Sequence, residues 1–254
     1  MENKRPLILI SNDDGYQAKG IMALTEAMKE IGDVVVFAPQ QHQSGMSSAI
    51  TTMHPLRTIK YKEEEGLTAY FCTGTPVDCV KLALNEFLDR KPDLVVSGIN
   101  HGSNAAISVI YSGTMGAAIE GCIFNIPSIG VSLLDHSFDA DFTQACNVAK
   151  EVAQKVLKNG LPENVCLNVN VPKGDVKGIE IATQTQGKWV NEYKRSTDGI
   201  GQDVYWITGR FENKEIHNGS SDEWMLKNGY AAVVPVKIDM TAHCFIEELK
   251  EWEL

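Results

Sequence analysis

Five short runs of apolar, β-prone residues, at 7–11, 33–38, 93–97, 128–132 and 166–171, alternate with stretches whose apolar residues recur at helical spacing. No other feature constrains the fold as much. Runs that are apolar at nearly every position suit strands buried on both faces, the condition of a parallel sheet covered by helices. The helices between them supply the crossovers that parallel strands require. An α/β fold with a mostly parallel, doubly wound sheet follows.

The individual signals agree. Ile21, Leu24, Met28 and Ile31 recur at helical spacing until Gly32. Pro39 closes the second strand, and a polar loop covers residues 40–48. Residues 49–72, with a Lys/Glu-rich turn at 63–66, read as a hairpin or irregular strands. Thr75 is a candidate N-cap with Pro76 at the first helical position, ahead of Val80, Leu84 and Phe87 on one face. A further helix is expected to begin near Ser112-Gly113-Thr114, and another carries Phe142, Ala145, Ala149, Val152 and Val156 up to Gly160.

Beyond about residue 175 the pattern changes. Strand-like runs at 179–183, 204–207 and 230–236 are separated by polar connections without amphipathic helices, and a last helix is expected over 241–252. Residues 1–175 therefore read as a catalytic core, and 176–254 as a β-rich extension with an oligomerisation arm and a terminal helix.

Composition narrows the function. A formal charge of -10 over 254 residues argues against a broad basic face for a nucleic acid polymer. An anionic ligand must then be held locally, by a cation, by backbone N–H groups or by a few placed side chains. The six cysteines, at 72, 79, 122, 146, 166 and 244, form no CxxC pair and read as buried free thiols in a reducing compartment. The apolar run 7–10 is too short for a signal-peptide core and no stretch is long enough to span a bilayer, so no membrane partner and a cytoplasmic location are expected.

Asn12-Asp13-Asp14-Gly15 stands where the first strand meets the first helix, the place where open α/β sheets put ligands. Alone it could be a turn and a helix cap, since Asn, Asp and Gly favour such positions. Ser44 after the second strand and Asn100 after the strand 93–97 add two more polar strand ends. Two carboxylates, a hydroxyl and an amide oxygen suit a hard cation such as Mg²⁺ or Mn²⁺. Adjacent carboxylates in a low-dielectric site repel each other by several kcal/mol unless a cation or water intervenes. Thr73-Gly74-Thr75-Pro76, residues 98–104 and Ser112-Gly113-Thr114 each precede or open a helix, so their backbone N–H groups could cradle a phosphate. No histidine pair has ligand spacing, and only His101 adjoins the expected site. The run 188–195 mixes aromatic and basic residues and could meet a base or phosphate, or pack as an arm on another subunit, the preferred reading.

Taken in order, LISNDDG at 9–15, Ala38-Pro39 leading to Gln43-Ser44-Gly45, TGTPVDCV at 73–80, VSGINHGSN at 96–104 and YSGTMGAA at 111–118 resemble the SurE family of stationary-phase survival proteins, which are nucleoside monophosphate phosphatases. The resemblance spans nearly the whole chain. It implies a Rossmann-like core and one divalent ion, Mg²⁺ or Mn²⁺, per subunit, held by Asp13, Asp14, Ser44 and Asn100. It implies that Asn12, Gly74, Thr75, Asn104, Ser112, Gly113 and Thr114 shape the phosphate pocket. It further implies a homodimer or homotetramer with an exchanged carboxyl-terminal arm. Two departures bear on substrate preference: the loop after Pro39 reads Gln-Gln-His-Gln-Ser where an arginine or other charge is common, and Ser103 replaces a frequent proline. The residues read as a metal-dependent phosphatase with Asp13 and Asp14 in catalysis, and the resemblance implies that it is a 5'-nucleotidase with 3'-nucleotides as further substrates. The competing reading is a nucleotide- or metal-sensing binding protein without turnover.

Overall fold

The computed structural model describes residues 5–252. In chain order it contains β1 (Leu7–Ser11), α1 (Lys19–Lys29), β2 (Asp33–Pro39), β3 (Thr58–Glu64), β4 (Leu67–Cys72), α2 (Pro76–Leu82), β5 (Leu94–His101), α3 (Gly113–Ile123), β6 (Ser128–Leu133), α4 (Thr143–Asn159) and β7 (Val165–Val171). There follow β8 (Ile179–Ile181), β9 (Gly187–Val190), β10 (Tyr193–Thr197), β11 (Asp203–Ile207), β12 (Arg210–Asn213), α5 (Asp222–Lys227), β13 (Ala231–Lys237) and α6 (Ile246–Lys250). Short 3-10 helices cover Ala106–Ile110 and His243–Phe245, and α2 runs on into a π-helical turn at Ala83–Phe87.

The main sheet has the order β3-β4-β2-β1-β5-β6-β7-β13-β8, and β4, β2, β1, β5, β6 and β7 run parallel. Side chains on its strands alternate between two cores. Ile8, Ile10, Val34, Val36, Leu94 and Val96 face the layer of α1 and α4, while Leu9, Phe37 and Val95 face α2 and α3. Complete burial of such a side chain contributes about 1.5–3 kcal/mol, so these alternating strands hold both helical layers in place.

β1 has β2 on one side and β5 on the other. Connections leaving the carboxyl end of β1 and its neighbours therefore diverge, opening a crevice there. The β5 to β6 register shifts between Ser97 and Asn100, at Gly98, whose φ is +140°. A Cβ on Gly98 would sit 2.4 Å from the Val131 carbonyl oxygen, so only glycine lets β5 lie this close to β6 before the chain turns into the site.

The expected hairpin over 49–72 is present as β3 and β4, preceded by a long irregular stretch. Thr75 caps α2 in a capping box with Asp78, and Ser112 caps α3. Past residue 175, β13 returns to the main sheet antiparallel to β7, and β8 pairs with β13 at the edge. β9 pairs with β12 and β10 with β11, forming one long two-stranded arm interrupted near Asn191 and Gly209. The last helix is shorter than the sequence suggests: α6 has five residues and buries none of them, so packing gives it little support. Among the described residues, no helix is long and apolar enough to cross a membrane.

Candidate active site

A cavity of about 860 Å³ opens at the carboxyl ends of β1 and β5. Asp13, Asp14, Ser44, Asn100, Asn104 and Ser112 line it together, although they come from three separate segments, after β1, after β2 and from the end of β5 to the start of α3. Asn12, Gly74, Thr75, Gly113 and Thr114 are not lining residues. They lie behind the wall. Asn12 donates through Nδ2 to the Gly15 carbonyl at 2.9 Å and so shapes the turn that presents the two aspartates. Thr75 is engaged by its cap and by the Ala49 carbonyl at 2.7 Å, while the Gly74 N–H points to Cys72 Sγ. The Thr114 hydroxyl donates to Asp13 Oδ1.

The electrostatics explain why this corner favours a cation. Asp13 is 3% exposed. Burial raises its carboxyl above the ordinary range and the charge of Asp14 adds to the rise, against a lowering by the Thr114 hydrogen bond. The Asp14 side chain is 9% exposed, accepts the His101 N–H at 3.1 Å through Oδ2, and has His42 Nδ1 3.5 Å from Oδ1. Among the described lining residues there is no lysine or arginine. Asn100 gives Nδ2 to the Gly102 carbonyl at 2.9 Å, leaving its acceptor end for a ligand. Asn12 Oδ1 is buried without a partner among the described atoms. This oxygen-rich set, with two carboxylates and no fixed counter-charge, fits a hard divalent ion.

The loops are tied to one another. Gln43 N–H donates to the Asp13 carbonyl at 2.7 Å, and Ser47 binds the Tyr111 carbonyl through its N–H and the Ile110 carbonyl through its hydroxyl. Ser44 is thereby carried between the β1 end and the start of α3. Asn104 rests on a buried amide network: its N–H donates to Asn170 Oδ1 at 2.8 Å, its Nδ2 to Ser132 Oγ at 2.8 Å, and Asn168 Nδ2 to its carbonyl at 2.8 Å.

Sequence reasoning missed part of the wall. His42 and His136, which the sequence does not place beside the expected site, line the cavity alongside His101. Ser108 and Tyr111 enter through the 3-10 helix and the residue after it, and Trp189, Glu192, Tyr193, Ile207 and Thr208 enter from the arm. The aromatic and basic composition of 188–195 was the one available signal, and it did not say which way the arm folds.

Comparison with known proteins is consistent across the chain. Residues 8–191 match the family described as "Survival protein SurE". A "5'-nucleotidase SurE" of Phocaeicola vulgatus is 49% identical over 255 residues, covering 100% of this chain and 99% of the relative. The corresponding Bacteroides fragilis protein is 50% identical, with 100% of each chain covered. The crystal structure of the SurE protein from Aquifex aeolicus superposes with a TM-score of 0.83 at 36% identity, covering 98% of this chain and 100% of the other.

Proposed function

Because this chain belongs to the SurE family, we propose that it is a 5'-nucleotidase that hydrolyses nucleoside monophosphates to nucleoside and inorganic phosphate. One observation carries the reading: Asp13, Asp14, Ser44, Asn100, Asn104 and Ser112 face a single cavity that Tyr111, Trp189 and Tyr193 also line. The acidic and hydroxyl end suits a metal-bound phosphate, and the aromatic end suits stacking of a base. The size of the cavity leaves room for the nucleoside as well as the phosphate.

Asp13, Asp14, Ser44 and Asn100 would hold one Mg²⁺ or Mn²⁺ ion per subunit. Such an ion, when bound, supplies Lewis acidity toward a phosphate oxygen and acidifies bound water. The chain's own groups do the rest. Asp13 or Asp14 orients the attacking water and takes its proton as the new O–P bond forms. The bond from phosphorus to the 5'-oxygen breaks, and the proton passes to the departing nucleoside hydroxyl. Ser112 and Asn104 flank the phosphate, while N–H groups at the start of α3, from Gly113 and Thr114, favour its negative charge. Gly74 and Thr75 support this end from behind, through the α2 cap packed beside it.

The test is phosphate release from 5'- and 3'-nucleoside monophosphates with Mg²⁺, Mn²⁺ or EDTA, repeated with Asp14→Asn. Metal-dependent release that is lost in D14N while the protein stays folded supports the reading. Tight nucleotide binding without release under any metal would instead favour a sensing protein. Trapping of labelled phosphate on Asp13 after acid quench would replace the water route with a covalent one. Tyr205, Trp206 and Ile200 are exposed on the arm, which supports a homodimer or homotetramer joined through it; light scattering of the purified protein measures the subunit number.

A further inference from the structure

The carboxylate of Asp222 is 0% exposed and lies outside the cavity. Its Oδ1 accepts three hydrogen bonds, from the Thr185 N–H at 3.0 Å, the Thr185 hydroxyl at 2.5 Å and the Glu223 N–H at 2.8 Å. Its Oδ2 accepts the Ala106 N–H at 2.8 Å, from a residue 116 positions away. All four donors are neutral. Two of the three partner residues lead in different directions. Thr185 stands two residues before β9, where the arm begins, and Ala106 opens the 3-10 helix that delivers Ser108, Tyr111 and Ser112 to the cavity.

Ala106 has φ of +51°, in the left-handed region that a residue with a Cβ adopts only when its surroundings hold it there. The Asp222 hydrogen bond is one such restraint. β9 also packs against this 3-10 helix. Residues 182 and 183 lie alongside the chain leading into α5 and β13: Asp222 N–H donates to the Thr183 carbonyl at 2.9 Å, and Ala182 N–H to the Val233 carbonyl at 2.9 Å. The arm root, the 106–112 loop and the sheet thus meet at one buried side chain.

We propose that Asp222 is a positioning residue that fastens the root of the arm to the 106–112 loop and so sets how closely Trp189 and Tyr193 approach the nucleoside end of the substrate. The proposal rests on the nucleotidase reading for its kinetic consequence only. An acceptor at both ends is essential to this fastening. Asparagine has the same shape, yet its amide nitrogen must face either Ala106 N–H or the Thr185 and Glu223 donors, and the fastening opens on that side.

The experiment compares Asp222→Asn, Thr185→Val and Thr185→Ser with the wild-type enzyme in two assays. Limited trypsin digestion reads the arm through cleavage at the exposed Lys188, Lys194 and Arg195. Steady-state kinetics read the site with a nucleoside 5'-monophosphate and with p-nitrophenyl phosphate, which has no nucleoside. D222N and T185V are expected to speed arm cleavage several-fold and to raise KM for the nucleotide about tenfold, with a smaller change in kcat and in KM for p-nitrophenyl phosphate. T185S restores wild-type behaviour. In a Trp189→Ala background, D222N adds little further loss, because both changes remove the same contact.

Wild-type digestion by both D222N and T185V would overturn the proposal. So would losses that are equal for the two substrates and additive with W189A, which mark a merely structural residue. If D222N does not fold, T185V decides alone. If wild-type protein cleaves neither substrate, the nucleotidase reading fails, while the trypsin comparison still judges the fastening.

Discussion

Replacing Gly113 by alanine should damage catalysis while sparing the fold. Gly113 is the first residue of α3, and its backbone is not in the left-handed region, so alanine can adopt its backbone conformation. The added Cβ, however, would lie 2.9 Å from Asp13 Cβ, 3.1 Å from Asp13 Oδ2 and 3.3 Å from Pro76 Cγ. Ordinary carbon contacts begin near 3.4 Å, so Asp13 or α3 must retreat by about 0.5 Å. Asp13 has little freedom to do so, being buried at the end of β1 and held by Thr114. A misplacement of about 1 Å in a reacting constellation costs about a hundredfold, so half of that predicts a loss of about tenfold or more in kcat/KM. Stability should change less, because alanine is favoured over glycine in a helix by up to about 1 kcal/mol and offsets part of the strain. In a chain of this size that keeps Tm within about 4 °C of the wild type. The assay is kcat/KM for a nucleoside 5'-monophosphate beside a thermal melt. Gly178→Ala serves as the control, since the nearest atom to its added Cβ would be Tyr230 Cδ1, at 3.8 Å. A folded G113A enzyme with kcat/KM within about twofold of wild type would refute the reasoning that Asp13 works in a fixed position.

Three further outcomes are expected. Thr114→Val removes the hydroxyl that holds Asp13 Oδ1; hydrogen bonds to charged groups contribute about 1.5–3 kcal/mol, so kcat/KM should fall about ten- to a hundredfold and Thr114→Ser should recover most of it. Asp135 has its carboxyl lowered to about 2 by the Ser137 hydroxyl, the Ser137 N–H and Lys173. Its folded value lies below the unfolded one, so it stabilises the fold above about pH 4 and loses that contribution as pH falls toward 2. Asp135→Asn should accordingly melt below wild type at pH 7, with the gap closing in a pH series of melts down to pH 2. Burial pushes the Cys146 thiol up to about 11, whereas Cys244 is exposed. Titration with an aromatic disulfide at pH 8 should show one fast thiol, lost in Cys244→Ser, with Cys146 unreactive; a fast phase that survives C244S contradicts this.

Features encoded over a few neighbouring residues were legible in the sequence. The alternation of apolar strands with amphipathic helices determined the doubly wound sheet, because periodicity and burial are local properties of each segment. Thr75 was readable as a helix cap and Ser112 as the start of a helix for the same reason, and Asp13 and Asp14 as residues at a strand end where such sheets bind ligands. Only the tertiary structure decided which polar residues face the cavity and which stand behind it. Thr114 meets Asp13 across 101 positions and Asp222 meets Ala106 across 116, contacts that depend on how the whole sheet closes and leave no pattern in either segment alone. The arm is the clearest case: its aromatic residues were visible in the sequence, but the fold alone turns Trp189 and Tyr193 toward the active site.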